Sequence, residues 1–502
     1  MMGKLEELRQ KNAAILTGNG QNVQAQHAAG KKTARERLDS LLDKGSFVEI
    51  EKFVKRTFAT PGFEAASEAG EGVVCGYGTI GERAVFVYAQ DYTVLSGSLS
   101  AAHASKIIKV MDMAAKNGVP VIGILDSGGA RISEGVAAIG STAAILNKYS
   151  ELSGVVPTLT VVAGPCIGTA AYIAAVSDFT FMTDGISEVA LHGPQIYASA
   201  SGKSLKETEL FGAKNHAEKT GIAQFAYANE EECAQGVKKL LSFLPSNNLD
   251  EAPYEASADD LNRQLPFTGE EEFDARAVAA SICDNSDIFE IQAAFAPDIF
   301  LAFGRINGNV CGIIANAKAE LTAAGAKKAA RFVGLLDAFS IPAVTLVNCG
   351  GTEIDIDAEQ DSLITDAARL LSAYAQAGIA KLTLVTGKAV GDGFAVMCPK
   401  ALGADLVYAW PSAEISSMPP EAGAIILYED EIKAAEDGIA AKEQMKEKYI
   451  EEYANPWQAA AQGVVDDVIE PAYTRQILAA ALEMTLTKRE NRLPKKHGVL
   501  PL

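Results

Sequence analysis

The feature that most constrains this chain is an internal repeat, because one strand, helix and turn pattern occurs twice along it. The stretches VPVIGILDSGG and IPAVTLVNCGG align Pro120 with Pro342, an offset of 222 (342 minus 120). Further along, TLTVVAGPCIG and KLTLVTGKAVG align Gly168 with Gly391, an offset of 223. Chance rarely keeps strands, prolines and glycines in order over so long a stretch. The chain therefore contains two copies of one unit.

Each copy is predicted to be an α/β domain, because β-rich runs such as AVFVYAQD precede a helix and then a buried strand. A helical arm over residues 1–45 precedes the first copy. The segment 244–274 is rich in Pro, Asn, Asp and Glu and is typical of a linker. With 502 residues to divide, we predict domains at 1–260 and 261–502.

Composition narrows the possible function classes. A formal net charge of −20 argues against nonspecific nucleic-acid binding, which needs clustered Lys and Arg. Seven cysteines lie apart with no CxxC pair, so we expect reduced thiols and no metal site. No window is apolar enough for a signal peptide or a membrane span. We expect a cytoplasmic protein, either free or peripheral to a membrane complex.

Glycine-bearing turns follow an apolar strand twice in each copy, as SGGARI and GPCIG and then as NCGG and GKAVGDG. Turns between a strand and a helix leave main-chain N–H groups unpaired, and glycine lets a ligand approach the backbone closely. Two such turns can form an oxyanion hole for a thioester enolate. The alternative is that these glycines only make the tight turns of α/β packing.

Other motifs carry little chemistry. GYGTIG matches GxGxxG, but another strand-like run follows it, which favours a hairpin turn. No G-x-S-x-G elbow, Walker loop or HExxH occurs, so hydrolase, nucleotide hydrolase and zinc-protease chemistry lack support. His103 and His192 are isolated and are interpreted as packing residues.

Charged residues near the glycine turns leave two alternatives open. Arg131 and Lys106 can pair with coenzyme A phosphates or have an ordinary surface role. The acidic residues after Gly350 are interpreted as a solvated loop rather than a metal site; they are Asp355, Asp357 and Glu359.

Several stretches together resemble the carboxyltransferase subunits of propionyl-CoA carboxylase and methylmalonyl-CoA decarboxylase over nearly the whole chain. They include KKTARERLDSLLDKGSFVE, QDYTVLSGSLSAAHASKI, DSGGARISEGV, GPCIGTAAY, ALGADLVYAWPSAEI and PKKHGVLPL. The resemblance implies two tandem crotonase-like (ClpP/crotonase) ββα-superhelix domains. It also implies a biotin-dependent enzyme that binds acyl-CoA on the first half and biotin on the second, in a dimer or a trimer of dimers.

The resemblance assigns roles to individual residues. The thioester oxyanion is held by main-chain N–H groups of Gly168 and Thr169, and the biotin carbonyl by those of Asp392 and Gly393. The other acyl-CoA residues are Gly128, Gly129, Ala130, Arg131, Cys166, Ile167 and Ala395. The other biotin residues are Gly350, Gly351, Val390 and Gly391. Thr169 replaces a family glycine, Ala395 replaces a frequent aspartate, and NCGGTEIDIDAEQ departs from the family loop.

The implied reaction moves a carboxyl group between biotin and a short acyl-CoA through an enolate, without a side-chain base. No AMKM biotinylation sequence occurs, so biotin is expected on a separate carrier protein. The second partner is either a biotin carboxylase or a membrane decarboxylase subunit, which would make this chain the alpha subunit of a sodium-pumping methylmalonyl-CoA or glutaconyl-CoA decarboxylase. Two rival functions are a crotonase-type hydratase using Glu134 and Glu188, and a degenerate scaffold subunit.

Overall fold

The chain forms two compact units, Met1–Asp250 and Glu251–Leu502. The computed structural model describes residues 3–55, 70–202, 211–269, 271, 273–490, 493–496, 498–499 and 501. The break lies ten residues before the boundary expected at 260. The reason is that Glu255 donates its N–H to the carbonyl of Gly308 at 3.1 Å, which attaches the predicted linker to the second unit.

The first unit begins with helices and then builds one sheet. Its strands are β1 (Val48–Ile50), β2 (Val73–Ile80), β3 (Arg83–Gln90), β4 (Val121–Ser127), β5 (Thr158–Ile167), β6 (Phe179–Thr183), β7 (Glu188–Ala190) and β8 (Phe225–Tyr227). Its helices are α1 (Lys4–Thr17), α2 (Gly20–Ala28), α3 (Ala34–Leu41), α4 (Ala101–Asn117), α5 (Ala137–Leu152), α6 (Ala171–Val176), α7 (Pro194–Ser201), α8 (Ala213–Asn215) and α9 (Glu230–Leu241).

The sheet of the first unit has the strand order β1-β2-β3-β4-β5-β6-β8, and β7 pairs with β5. β2 and β3 form an antiparallel hairpin in which Ile80 lies opposite Arg83. Gly81 and Glu82 in its turn both have positive φ, as a two-residue hairpin turn requires. The hairpin predicted for GYGTIG is therefore confirmed. From β3 to β6 the pairing is parallel, which brings the carboxyl ends of β4 and β5 to one edge.

The second unit repeats this plan. Its strands are β9 (Ile288–Ile291), β10 (Ile299–Ile306), β11 (Asn309–Asn316), β12 (Glu320–Leu321), β13 (Ala343–Cys349), β14 (Gly351–Thr352), β15 (Lys381–Val390), β16 (Leu406–Ala409), β17 (Glu414–Ser416) and β18 (Asp467–Val468). Its helices are α10 (Ala275–Ile282), α11 (Ala323–Ala338), α12 (Ile356–Gln360), α13 (Leu363–Gln376), α14 (Gly391–Val396), α15 (Pro420–Leu427), α16 (Glu429–Ala434), α17 (Gly438–Tyr453), α18 (Pro456–Ala461) and α19 (Thr474–Thr485).

The main sheet of the second unit runs β9-β10-β11-β13-β15-β16-β18, and β17 pairs with β15. Each strand has a counterpart in the first unit at the same place in the sheet, from β1 and β9 at one edge to β8 and β18 at the other. The small parallel pair β12 and β14 lies outside this correspondence. The predicted repeat of one α/β unit is thus confirmed strand by strand.

Local sequence signals explain where the central helices lie. Ser100 caps α4 by accepting the N–H of His103, and the left-handed Gly118 ends the helix. Thr322 caps the equivalent helix α11 through Gly325. Both helices pack an apolar face onto their sheet: Ile107 and Val110 of α4 belong to the core of the first unit, and Phe332 of α11 lies edge-on against Phe303 of β10. Each unit thus has its own core. Among the described residues, no helix is long and apolar enough to cross a membrane.

Candidate functional site

Two glycine turns end neighbouring strands in the first unit. β4 and β5 pair in parallel with Ser127 opposite Cys166, so the turns SGGAR and GPCIGT begin at the same edge of the sheet. A side chain at Gly129 would bring its Cβ within 3.2 Å of the Ile167 carbonyl oxygen. Gly129 also has a φ of +99°. Only glycine suits both the contact and the angle, and the two turns therefore lie directly against each other.

The second of these turns opens outward. Gly168 has a φ of +78°, and no heavy atom beyond its two chain neighbours lies within 4 Å of where its Cβ would be. A short 3-10 turn, Gly168–Ala170, leads into α6. The first N–H groups of a helical segment have no acceptor inside it, so the main chain here has donors for a ligand. Thr169 is exposed and is not among the described residues with positive φ, so its side chain causes no backbone strain.

The segment 96–99 holds the SGGAR turn in place through main-chain hydrogen bonds. Gly128 donates its N–H to the carbonyl of Ser96 at 3.0 Å. The N–H of Leu99 bonds the carbonyl of Gly129 at 2.9 Å, and Arg131 donates its N–H back to Leu99 at 2.9 Å. Ala130 lies between these bonds and is exposed. The Gly129 N–H also donates to the Ser127 hydroxyl at 3.1 Å, so three N–H groups of this turn fix its shape.

Arg131 and Lys106 are both buried, at 5% and 1% exposed. The Arg131 guanidinium forms an ion pair with buried Glu71 and donates to the Ser98 carbonyl at 3.0 Å. Lys106 donates to the carbonyls of Gly70 and Val73. The suggested pairing of these cations with coenzyme A phosphates needs correction, because both side chains satisfy groups inside the fold.

The buried thiols and imidazole near the turns are unsuited to covalent or base catalysis. Burial raises the pKa of Cys166 to about 12, and its side chain belongs to the core. The thiolate, which is the nucleophilic form, is therefore absent near neutral pH. Burial also lowers the pKa of His103 to about 3, and its ring bonds the Glu71 carbonyl at 2.9 Å. His103 is a packing residue, as predicted.

The second unit has the same arrangement at the ends of β13 and β15. Cys349 lies opposite Ala389 across these strands. Gly393 packs so closely on the other turn that a Cβ there would lie 2.5 Å from the Cys349 sulfur and 2.8 Å from the Gly351 carbonyl carbon. Gly351 itself has a φ of +140°. The two turns therefore contact each other at Gly351 and Gly393. Gly350 anchors the first of them by donating to the Ala319 carbonyl at 2.6 Å.

Helix α14 carries the residues expected to meet biotin. It follows Val390, which is 2% exposed, and begins at Gly391, whose φ is +51°. Asp392 is exposed, and its carboxylate accepts a hydrogen bond from the Thr352 hydroxyl across the two turns. Ala395 lies nearly one helical turn further on and is also exposed. Thr352 was missed by sequence reasoning, since only the fold brings it to this carboxylate.

A cavity of about 490 Å³ lies beside α14 in the second unit. Its wall includes Phe394 from α14, Ser417 after β17, and Tyr449 and Tyr453 from α17. The Ser417 carbonyl oxygen would be 3.2 Å from a Cβ at Gly391, so the cavity borders the second glycine turn. A volume in this range suits a small organic ligand.

The acidic candidates have structural partners. Asp355 caps α12 by accepting the N–H groups of Asp357 and Ala358, and Asp357 and Glu359 lie in that helix, so the segment predicted to be a solvated loop is a short, exposed helix. Glu134 accepts the N–H of Ala101 at 2.8 Å, so this carboxylate caps α4. Glu188 lies in β7. No cluster of metal-ligating side chains occurs within the described ranges.

Sequence reasoning also missed Asp126, which immediately precedes the SGG turn and is wholly buried. The signal was present in the repeat, because Asp126 aligns with Asn348 at the same offset of 222 as Pro120 with Pro342. Both residues lie against a glycine of the next strand, Gly164 and Gly387.

Comparisons with known proteins agree with this architecture. The family described as carboxyl transferase domain matches residues 25–500. The chain is 42% identical to the methylmalonyl-CoA decarboxylase subunit alpha of Veillonella parvula, over 99% of each chain. It is 41% identical to the propionyl-CoA carboxylase carboxyltransferase subunit of Haloferax mediterranei, over 100% of each.

A solved structure is similar over the same extent. The crystal structure of transcarboxylase 12S, a hexamer with hydrolysed methylmalonyl-coenzyme A bound, superposes with a TM-score of 0.94 at 39% identity. It covers 100% of this chain and 99% of the other. The crotonase-like fold expected from the resemblance is thereby confirmed. With the family match and these identities, the chain belongs to the carboxyl transferase family.

Proposed function

We propose that this protein moves a carboxyl group between biotin on a separate carrier protein and a short acyl-CoA of the propionyl and methylmalonyl class. The observation that carries the proposal is the pair of glycine turns at the carboxyl ends of adjacent strands in each unit. In the first unit the space around the Cβ position of Gly168 is open, so a ligand can approach this turn. The family match supplies the reaction class.

The first unit is proposed to hold the acyl-CoA. Loss of CO2 from a malonyl-type thioester breaks a C–C bond and leaves its electron pair as an enolate, whose oxygen is negative. Main-chain donors at Gly168 and Thr169 stabilise that oxygen, while the rigid turn at 128–131 bounds the site together with Cys166 and Ile167. One such donor typically contributes about 3 kcal/mol to the transition state.

The second unit is proposed to hold biotin. Biotin, when bound, supplies the ureido nitrogen that accepts or releases the carboxyl group. The N–H groups of Asp392 and Gly393 begin α14 and are suited to its carbonyl oxygen. Gly350, Gly351, Val390 and Gly391 shape the turn, and the neighbouring cavity is large enough for the bicyclic ring.

The proposal includes an oligomer in which the first unit of one subunit faces the second unit of another. Ile132 and Ile354 follow the equivalent glycine turns and are 90% and 92% exposed. Val136 and Ile356 beside them are also exposed, and groups of exposed apolar side chains next to a site are typical of a surface that another chain covers. The transcarboxylase 12S relative is a hexamer, and we propose a dimer or trimer of dimers here.

The direction of the reaction depends on the partners. Similar identity to a decarboxylase alpha subunit and to a carboxylase subunit favours both arrangements equally. With a biotin carboxylase the protein carboxylates acyl-CoA, and with a membrane decarboxylase subunit it removes CO2. The two are separated by reconstitution, because only the first requires ATP.

The test is transfer of label from [14C]methylmalonyl-CoA, [14C]malonyl-CoA or [14C]glutaconyl-CoA to free biotin by the purified protein. We expect label on biotin, with methylmalonyl-CoA the best donor. Absence of label with all three, from protein that retains its oligomeric state, would leave the degenerate scaffold as the better description.

A further inference from the structure

A buried charge cluster lies beneath the two glycine turns of the first unit and has no part in the function described above. Its centre is the carboxylate of Asp126, the residue before Ser127 at the end of β4, which is 0% exposed. Lys31 donates to this carboxylate at 2.7 Å, Arg37 at 2.8 Å and Gln26 at 2.9 Å. Three side chains of the N-terminal arm thus converge on one carboxylate.

The same cluster reaches the other strand. Arg37 also donates to the carbonyl of Ala163 at 2.6 Å, one residue before Gly164 in β5. Its Nε bonds Glu230 at the start of α9 at 2.5 Å. Asp126 and Arg37 therefore connect β4, β5, the arm and α9 at the place from which both turns project.

The second unit has uncharged side chains at the positions equivalent to Arg37 and Asp126. Helices α3 and α10 are equivalent, since each follows a capping residue, Thr33 or Asp274. Counting from those caps, Arg37 corresponds to Val278, which is buried, while Asp126 corresponds to Asn348.

The helix alignment has independent support. The ion pair of Arg35 with Glu49 has its counterpart in that of Arg276 with Glu290, and both join the equivalent helix to the equivalent edge strand. In the second unit the Asn348 side chain accepts the N–H of Lys388 at 2.9 Å. The charged pair Arg37 and Asp126 of the first unit thus corresponds to the neutral pair Val278 and Asn348 of the second.

Stability alone does not account for this difference. Burying charges costs desolvation free energy, and a well-packed neutral set of similar volume is often as stable. The second unit shows that this fold accepts the neutral set. What charged hydrogen bonds add is stiffness and direction, because they are shorter and stronger than neutral ones.

We propose that Asp126, through its bonds to Arg37 and Lys31, is the positioning residue that sets the spacing of the SGGAR and GPCIGT turns for the acyl-CoA thioester. The inference rests on the proposed function. It assigns the N-terminal arm a role in the reaction, since Gln26, Lys31 and Arg37 come from it. Donors of an oxyanion hole tolerate little displacement, and a shift of 1 Å lowers the rate by about 100-fold.

The test uses the chain's own neutral pair. Arg37→Val with Asp126→Asn reproduces the second unit's residues at these two positions, and the Lys31 and Glu230 side chains that lose a partner are each partly exposed, so the double variant is expected to fold. Arg37→Val alone would leave the buried Asp126 with Lys31 as its remaining cation, and Asp126→Asn alone would take the carboxylate from both Lys31 and Arg37. In label transfer to biotin, we expect the double variant to lose about 10- to 100-fold in kcat. The KM for biotin should stay within about twofold, because biotin binds elsewhere.

The matched control is Arg35→Val. It removes a cation from the same helix whose bonds go to Glu49 on β1 and not to the turns. We expect wild-type kcat from this variant. A double variant with wild-type kcat and the same folded fraction would overturn the inference and reduce the cluster to a structural one.

Hydrogen exchange separates this inference from the proposed function. If wild-type protein transfers no label, the proposed function fails, but the turns can still be examined. The double variant should exchange the amides of 128–131 and 164–170 at least about tenfold faster, as local opening becomes easier. Arg35→Val should not do so. Unchanged exchange in the double variant would contradict the positioning role.

Discussion

The carboxylate of Asp126 lies against the backbone of Gly164 on the neighbouring strand, so closely that a Cβ at position 164 would be 2.0 Å from Oδ1. The second unit repeats the relationship, with the Asn348 side-chain oxygen 2.5 Å from the Cβ position of Gly387. Each glycine is therefore a packing requirement within its strand, β5 or β15. The same close contact of a side chain with a glycine occurs in both units, once with a charged side chain and once with a neutral one.

Gly164→Ala is expected to destabilise the protein by more than the roughly 1–3 kcal/mol typical of overpacking, because it also displaces Lys31 from Asp126. Gly387→Ala should cost less, since Asn348 carries no charge. Gly334→Ala is the control, because it lies within α11 with no atom near its Cβ position. It should stabilise by about 0.5–1 kcal/mol. Equal denaturation midpoints for the three variants would refute this ordering.

The burial of Lys328 leads us to expect that the stability of the protein depends on pH. It is buried and donates to four carbonyls, among them those of Gln292 and Ile299 at 2.9 and 2.7 Å. Burial lowers its pKa to about 8 from 10.5. The unfolded chain then binds more protons than the folded one between these values, so the free energy of unfolding rises with pH from about 8 to 10.5.

Comparison with Lys328→Met isolates this contribution. The variant leaves carbonyls without a donor and should lose about 3 kcal/mol at neutral pH. Its free energy of unfolding, measured by denaturant titration, should lack the rise above pH 8 that the wild-type protein shows. The same slope in both proteins would show that Lys328 is not its source.

We expect the proposed biotin site to depend on the main chain of its turn rather than on the Asp392 carboxylate. Gly393→Ala would force a Cβ to 2.5 Å from the Cys349 sulfur, so we expect about a 100-fold loss of label transfer to biotin. Asp392→Asn keeps every N–H group and should retain activity within about threefold. The comparison is made with initial rates at saturating acyl-CoA. A larger loss from Asp392→Asn would assign a direct role to the carboxylate.

The repeat made the architecture predictable. Pro120 and Pro342 mark the start of equivalent strands, and the glycine pairs mark their ends, so position along the chain was sufficient to place both turns. The turn at Gly81 was predictable for the same reason, since a hairpin depends on adjacent residues only.

Long-range contacts determine the side-chain directions and roles that could not be predicted from the sequence. Whether Arg131 points outward or inward depends on Glu71, sixty positions away, and no local pattern encodes that contact. The role of Thr352 likewise depends on Asp392, forty positions further on. The hydrogen bond from the Glu255 N–H to the Gly308 carbonyl is a further contact of this kind, because the neighbours of Glu255 have the composition of a linker.

Transfer of label from [14C]methylmalonyl-CoA to free biotin, compared between Gly168→Ala and Thr169→Gly, tests the central claim most directly. Gly168 has a φ of +78°, so alanine strains the turn and displaces its donors. Thr169→Gly removes an exposed side chain and keeps the main-chain N–H donor. We predict a loss of about 100- to 1,000-fold in the first variant and nearly unchanged transfer in the second. Equal rates in the two variants, or no label on biotin with the wild-type protein, would contradict a main-chain oxyanion hole at this turn.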